Sequence, residues 1–436
     1  MSSFPGLHPK KILRHGLTHN VIALYGVQIC TYAMPLLTFP YLARVLGPAG
    51  WGAVVFSQAI GSVIAILVEY GFDLSATRET SRHRGERGRL SELVSGVLGA
   101  KILLAALGVA GALLVRRYTH RVAPSPILFW SSAIWGACQG INMLWYFQGL
   151  ERMRLASALE ICGKVLATLS IFLLVHHPDD GWKVLAAQAV GCVVAHGITV
   201  AITYSEVGFR WPRPALVWSA LRLGWSMFLY RAAQGVTGSI NGLVLGFSAP
   251  LAALGEYAGA ERITRAFQQG LWPVNQALYP RLTDVAMKDK RKGMKLVRYS
   301  IYFLGALSLL FAVVMCAAAP WIVHVVLGAA FRGSVPTLRV FSLWIPLVAL
   351  TTVITFQLLL PNGLDRQFNL VIFTSGIVNV LAALLLAPRF AAMGIAMSAV
   401  VSQIFTLGSF SYVLDHAGLN PFARVRQDPP AIQVTV

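Results

Sequence analysis

The 436-residue chain is 56% hydrophobic and only 12% charged, with a mean hydropathy of +0.65; soluble domains carry about 25% charged residues, so a soluble fold is excluded. A formal net charge of +19 in so apolar a chain points to basic cytoplasmic loops of a membrane protein, not to a nucleic-acid-binding face. The five cysteines each stand alone in apolar stretches, as small packing residues without the spacing of a metal site or disulfide framework.

The opening segment, "MSSFPGLHPKKILRHGLTHN", has no apolar core before Val21 and does not read as a cleaved leader. Apolar runs of about 20 residues, the length of a membrane-crossing helix, then recur along the chain. They predict an all-α polytopic membrane protein with about 12 transmembrane helices, at 20–42, 51–74, 94–115, 126–148, 155–176, 184–204, 223–248, 251–283, 297–318, 338–360, 368–387 and 391–414. Pro35 and Pro40 in the first span, Pro273 and Pro280 in the eighth and Pro346 in the tenth read as kinks or hinges, since proline deletes a helix donor.

Charged and polar residues within these runs are candidates for function. Glu69 and Asp73 lie near the inner end of the second span, where they relay protons, bind a cation, or pair structurally with Arg78. Lys101 in the third span faces a cavity or snorkels to the interface. Glu160 and Lys164 in the fifth are four apart, the spacing of a pair along one helix. "HHPDD" (176–180) resembles a metal cluster, but adjacent residues in a short loop cannot all converge on one ion. His196, mid-span in the sixth, reads as a packed neutral imidazole, and Trp51, Trp130, Trp182, Trp211, Trp218, Trp321 and Trp344 as anchors flanking the spans.

The eighth run carries Glu261, Arg262 and Arg265, which would cost on the order of 8–10 kcal/mol in lipid. Loop charge nevertheless requires it to cross. With the N-terminus inside, inner segments hold 23 Lys and Arg against 7 outside, and this alternation persists only if 251–283 is a span. The helix must therefore face protein or a watery cavity. Arg262 and Arg265, three apart, are expected on one face together with Gln268 and Gln269. Arg231 in the seventh span and Arg339 in the tenth are further charges at depth, Arg231 being close enough to Arg222 to reach the interface instead.

"GPAGWGAVVFSQAI" (47–60) is similar to "PLAALGEYAGAERI" (250–263), and a basic loop follows each about 30 residues later. The repeat divides the chain into an N-terminal lobe (1–204), a cytoplasmic linker (205–222) containing Pro212 and Pro214, a C-terminal lobe (223–414) and a cytoplasmic tail (415–436). Binding between duplicated halves is a common transporter arrangement.

The first hairpin is more specific. "PLLTFPYLARVLGPAGWGAVVFSQAI", followed by "EYGFDLSATRETSRHR", resembles the polysaccharide flippases, also called O-antigen or repeat-unit translocases. These form a branch of the superfamily that includes the multidrug-and-toxin exporters and the lipid II flippases. The resemblance is carried by residues 20–95; beyond them it rests on span count, length and the charged eighth helix. It implies two pseudo-symmetric six-helix bundles around a central cavity open alternately to either side. It also implies a substrate, an oligosaccharide repeat unit on undecaprenyl diphosphate, moved from the inner to the outer leaflet of the bacterial cytoplasmic membrane. The diphosphate suits arginine, which contacts phosphate bidentately. On this reading Arg265 and Arg262, assisted by Arg231 and Arg339, bind the head group. Lys101 and Lys164 supply the first lobe, and Gln268, Gln269, Asn275 and Gln276 meet the sugars. Glu69, Asp73, Arg78 and Glu261 are coupling or gate candidates.

No GxxxxGK[ST] loop occurs, so no cofactor is expected and the work falls to an H+ or Na+ gradient or to product consumption on the far side. The expected partners are the lipid-linked glycan, membrane lipid and the polysaccharide polymerase or chain-length machinery, with no nucleic acid. Two rivals remain open. An ion-coupled exporter of a soluble compound would share the fold, although cationic drugs call for an acidic cavity. A membrane enzyme acting on lipid-linked sugar would need longer outer loops than these.

Overall fold

The computed structural model describes the backbone of residues 9–118, 125–288 and 290–422, and the side chains of 34–117, 125–228, 240–269 and 294–422. Every regular element in these residues is helical, as a lipid environment demands, because a helix satisfies its own backbone groups. The helices are α1 (Pro9–Glu69), α2 (Phe72–Arg82), α3 (Arg87–Tyr118), α4 (Pro126–Gly140), α5 (Leu144–Gly149), α6 (Met153–Leu174) and α7 (Gly181–Val207). They continue with α8 (Pro214–Ser248), α9 (Leu251–Lys288), α10 (Lys290–Ala317), α11 (Ala319–Val326), α12 (Ser334–Ile354) and α13 (Asp365–His416).

Among the described residues, seven segments are long and apolar enough to cross a membrane. Their outer surfaces are lipid-like: Leu173 is 73% exposed and Leu385 70%. The chain is a multi-pass membrane protein.

Two of the segments are bent pairs. The first two expected spans form α1, divided at Gly47, whose φ of 65° suits glycine. Pro48 then biases Gly47 away from helical geometry. The last two spans form α13, divided at Ala391 (φ 47°), where a residue with a Cβ is strained. The fourth expected span is broken into α4 and α5, and the tenth ends in a π-helical turn at Thr355–Leu359. Helix α7 runs to Val207 and α8 begins at Pro214. The helix-free connection is therefore 208–213, shorter than the expected 205–222, because the amphipathic Trp-containing stretch joins α8. Pro273, Pro280 and the basic run from Arg281 to Lys292 lie outside the described side chains.

Helix α1 packs against α4, α6 and α7, and α12 packs against α9, α10 and α13. Helix α9 also lies along α1 and so belongs to both groups of contacts. The repeated sequence sits at this junction. A Cβ on Gly52 would fall 1.8 Å from the Leu251 carbonyl oxygen, and one on Gly255 2.0 Å from that of Pro48. Each glycine thus abuts the carbonyl four residues before its counterpart. That reciprocity relates residues 47–60 to 250–263 by a local pseudo-twofold axis.

Candidate functional site

Helices α1, α4, α6 and α7 line a cavity of about 220 Å³. Its polar lining includes Gln58, Gln139, Glu160, Lys164, Gln188 and His196, and Arg262 enters it from α9. The guanidinium carbon of Arg262 lies 4.5 Å from the centroid of the Trp51 ring and 5.3 Å from that of Phe39. Its Nη2 reaches Gln58 Oε1 at 3.5 Å, the limit of a hydrogen bond. No carboxylate among the described residues pairs with it. A charge at bilayer depth costs about 3 kcal/mol, and desolvated cation–π contacts return about 2 kcal/mol each. Two aromatic faces therefore offset the burial while leaving the N–H groups able to meet an anion. Trp51, expected as an interface anchor, is 1% exposed and forms one of these faces.

Arg265 does not join Arg262. It lines a second cavity, of about 330 Å³, among α8, α9, α12 and α13, and its Nη2 pairs with Glu261 Oε1 at 2.8 Å. Residues three apart point about 60° from each other around a helix. On a helix packed against both α1 and α12, that angle sends them to different cavities. Arg339 is exposed near the start of α12 and lines neither cavity. Gln268 is partly buried and Gln269 exposed, and neither lines these cavities. Arg231, Asn275 and Gln276 lie outside the described side chains.

Lys164 pairs with Glu160 at 2.7 Å, as their spacing indicates. Lys101 is fully buried, its Nζ donating to the carbonyls of Gly140 (2.7 Å) and Asn142 (2.9 Å). It neutralises the negative end of α4 and does not line either cavity. Glu69 and Asp73 line a neighbouring hollow of about 520 Å³ that shares Trp135, Gln139, Glu160, Lys164 and His196 with the first. A polar seam thus runs from Arg262 past the Glu160–Lys164 pair to the two acids. Arg78 is exposed. His196 is 7% exposed, its Nδ1 donating to the Cys138 carbonyl at 2.9 Å. In "HHPDD", Asp180 Oδ2 accepts from the backbone N–H of His176 and His177, and Asp180 Oδ1 pairs with Lys183 at 2.6 Å. The segment is a hydrogen-bonded turn, and no group of metal-ligating residues occurs among the described ones.

The sequence reading missed the amides and hydroxyls of α13. The signal was present: Ser398, Ser402 and Thr406 recur every four residues, as do Ser375 and Asn379, and so share faces within apolar spans.

This arrangement has known counterparts. The chain is 27% identical over 393 residues to a "Putative O-antigen transporter" of Escherichia coli (strain K12), covering 89% of this chain and 94% of that one. It is 25% identical to a protein of the same description from Shigella dysenteriae, covering 88% and 96%. Its fold resembles that of lipid II flippase MurJ in an inward closed conformation, with a TM-score of 0.69 at 10% identity, covering 91% of this chain and 87% of the other. It also resembles an inward-facing multidrug resistance MATE transporter of the MOP superfamily, with a TM-score of 0.63 at 15% identity, covering 93% and 100%. Residues 17–286 match the family described as "Polysaccharide biosynthesis protein", and to that family the chain belongs.

Proposed function

We propose that the chain is a flippase. It carries oligosaccharide repeat units linked to undecaprenyl diphosphate from the inner to the outer leaflet of the bacterial cytoplasmic membrane, by alternating access between its two lobes. The observation that carries this reading is Arg262, a guanidinium held by aromatic faces at a cavity rim, without a carboxylate partner among the described residues. An anionic head group fits such a cation. Arg265, already paired, contributes a weaker field. The relatives described as O-antigen transporters support the same substrate class.

Glu69, Asp73 and Glu160 along the polar seam are the proposed groups for coupling to H+ or Na+, Glu160 lying 2.7 Å from Lys164. The excess of Lys and Arg in alternate loops supports cytoplasmic N- and C-termini. On the outer face, a polysaccharide polymerase consumes the delivered glycan.

The test is transport in liposomes reconstituted with the full chain and a fluorescent lipid-linked oligosaccharide. Flipping lost in Arg262→Gln and retained in Arg424→Ala supports the proposal. Efflux of a free solute without lipid movement favours an exporter, and chemical change in the lipid favours an enzyme.

A further inference from the structure

The C-terminal-lobe cavity has a chemistry unlike that of the first lobe. Among the described residues that line it, Glu261 and Arg265 carry the charges, and they pair with each other at 2.8 Å. Seven of the remaining lining residues are neutral and polar: Asn241, Thr264, Ser375, Asn379, Ser402, Gln403 and Thr406. Its aromatic wall is Tyr257, Phe341 and Trp344, the last two in edge contact with ring centroids 6.4 Å apart.

Several of these polar groups are pre-positioned. Ser375 Oγ contacts Thr406 Oγ1 at 2.5 Å and donates to the Ser402 carbonyl at 3.0 Å. Gln403 Nε2 donates to Thr351 Oγ1 at 2.6 Å. Asn379 is only 4% exposed, and its Nδ2 lies 3.5 Å from Ser398 Oγ. Its Oδ1 is buried and accepts no hydrogen bond from any described residue. Buried polar atoms are nearly always satisfied, and an orphan calls for an absent partner.

We infer that this cavity is a saccharide subsite, taking one sugar ring of the lipid-linked glycan while the diphosphate lies at Arg262. The inference rests on the flippase reading. A volume of about 330 Å³ is at the low end of small-ligand pockets, enough for one ring and too small for a repeat unit. Fixed amides and hydroxyls match ring hydroxyls, and an aromatic wall matches the apolar C–H face. A lipid tail would leave the amides unpaired. A cationic drug would find no net negative charge. An additional phosphate would find the Arg265 guanidinium already engaged.

The experiment measures binding to the purified full chain in nanodiscs. The probes are bare undecaprenyl diphosphate and the same lipid carrying glucose, galactose, N-acetylglucosamine or N-acetylgalactosamine. At least one sugar-bearing probe should bind wild type about tenfold more tightly than the bare lipid, the effect of one or two buried hydrogen bonds. Asn379→Leu and Gln403→Leu should each reduce that preference toward one, with the affinity for bare lipid within twofold of wild type. Trp344→Phe, which keeps an aromatic wall, should retain it. Unfolding temperatures of all variants identify any that fail to fold, and Asn379→Ala, which also removes the acceptor oxygen, then replaces Asn379→Leu. The inference is overturned if no probe shows a sugar preference, if the preference survives in both leucine variants, or if those variants weaken bare lipid equally. Stabilisation by sodium that is lost in Asn379→Leu, without any sugar preference, overturns it in favour of a cation site. Sugar-dependent binding without binding of the bare lipid sustains the subsite and defeats the head-group reading instead.

Discussion

The contact between α1 and α9 offers a direct physical test of the lobe interface. Replacing Gly255 by alanine places a Cβ 2.0 Å from the Pro48 carbonyl oxygen, and replacing Gly52 places one 1.8 Å from that of Leu251. Ordinary carbon–oxygen contacts are about 3.3 Å or longer. The helices must therefore separate by roughly 1.3 Å for Gly255→Ala and 1.5 Å for Gly52→Ala. Backbone atoms cannot rotate away as side chains can, so each substitution should cost about 1–3 kcal/mol, the range for overpacking. The two sites share one contact. Once the first methyl has parted the helices, the second meets less resistance, and the double variant should cost well under the sum of the singles. If the junction closes one face of the transporter, the same energy shifts the population toward the state in which this end is open, at tenfold per 1.4 kcal/mol. The assay is electron spin resonance distance measurement between labels on Ala49→Cys and Ala252→Cys, in a background with the five native cysteines replaced by alanine. Gly255→Ala should add or enrich a longer-distance population. Unchanged distances, or fully additive losses of stability in the double variant, would refute the shared backbone contact.

Other expectations follow from the buried charges. Lys101→Met strands the Gly140 and Asn142 carbonyls that Nζ now satisfies; it should lower stability by about 2–4 kcal/mol, read as a fall in unfolding temperature, while transport per folded molecule stays near wild type. Glu160→Gln removes the carboxylate 2.7 Å from Lys164. With both side chains about a quarter exposed, it should cost on the order of 1–2 kcal/mol, and the double variant Glu160→Gln, Lys164→Met should recover most of it in the same unfolding measurement.

The fold was largely legible from the sequence because lipid narrows the choices. Apolar runs located the seven described segments that are long and apolar enough to cross a membrane, and the expected span at 251–283 lies within the single helix α9. Glu160 with Lys164 was legible as well, since both partners lie on one helix and their spacing decides the contact. What pattern could not supply was the rotation of each helix against its neighbours. Arg262 and Arg265 share a face by spacing, yet α9 packs against both α1 and α12 and a turn of about 60° assigns them to separate cavities. Lys101 depended on where α4 ends, which no residue of its own helix records. Trp51 read as an interface anchor because tryptophans flank spans, and only the packing of α9 on α1 reveals it as a platform for Arg262.

The central claim, that Arg262 holds the diphosphate, is tested most directly by comparing the affinity of the purified protein for undecaprenyl diphosphate with that for undecaprenol. The account predicts a phosphate-dependent gain that falls about 30- to 100-fold in Arg262→Gln, the loss of charge-assisted hydrogen bonds, and that persists in Arg339→Gln. Undecaprenyl diphosphate binding in Arg262→Gln within twofold of wild type would contradict it.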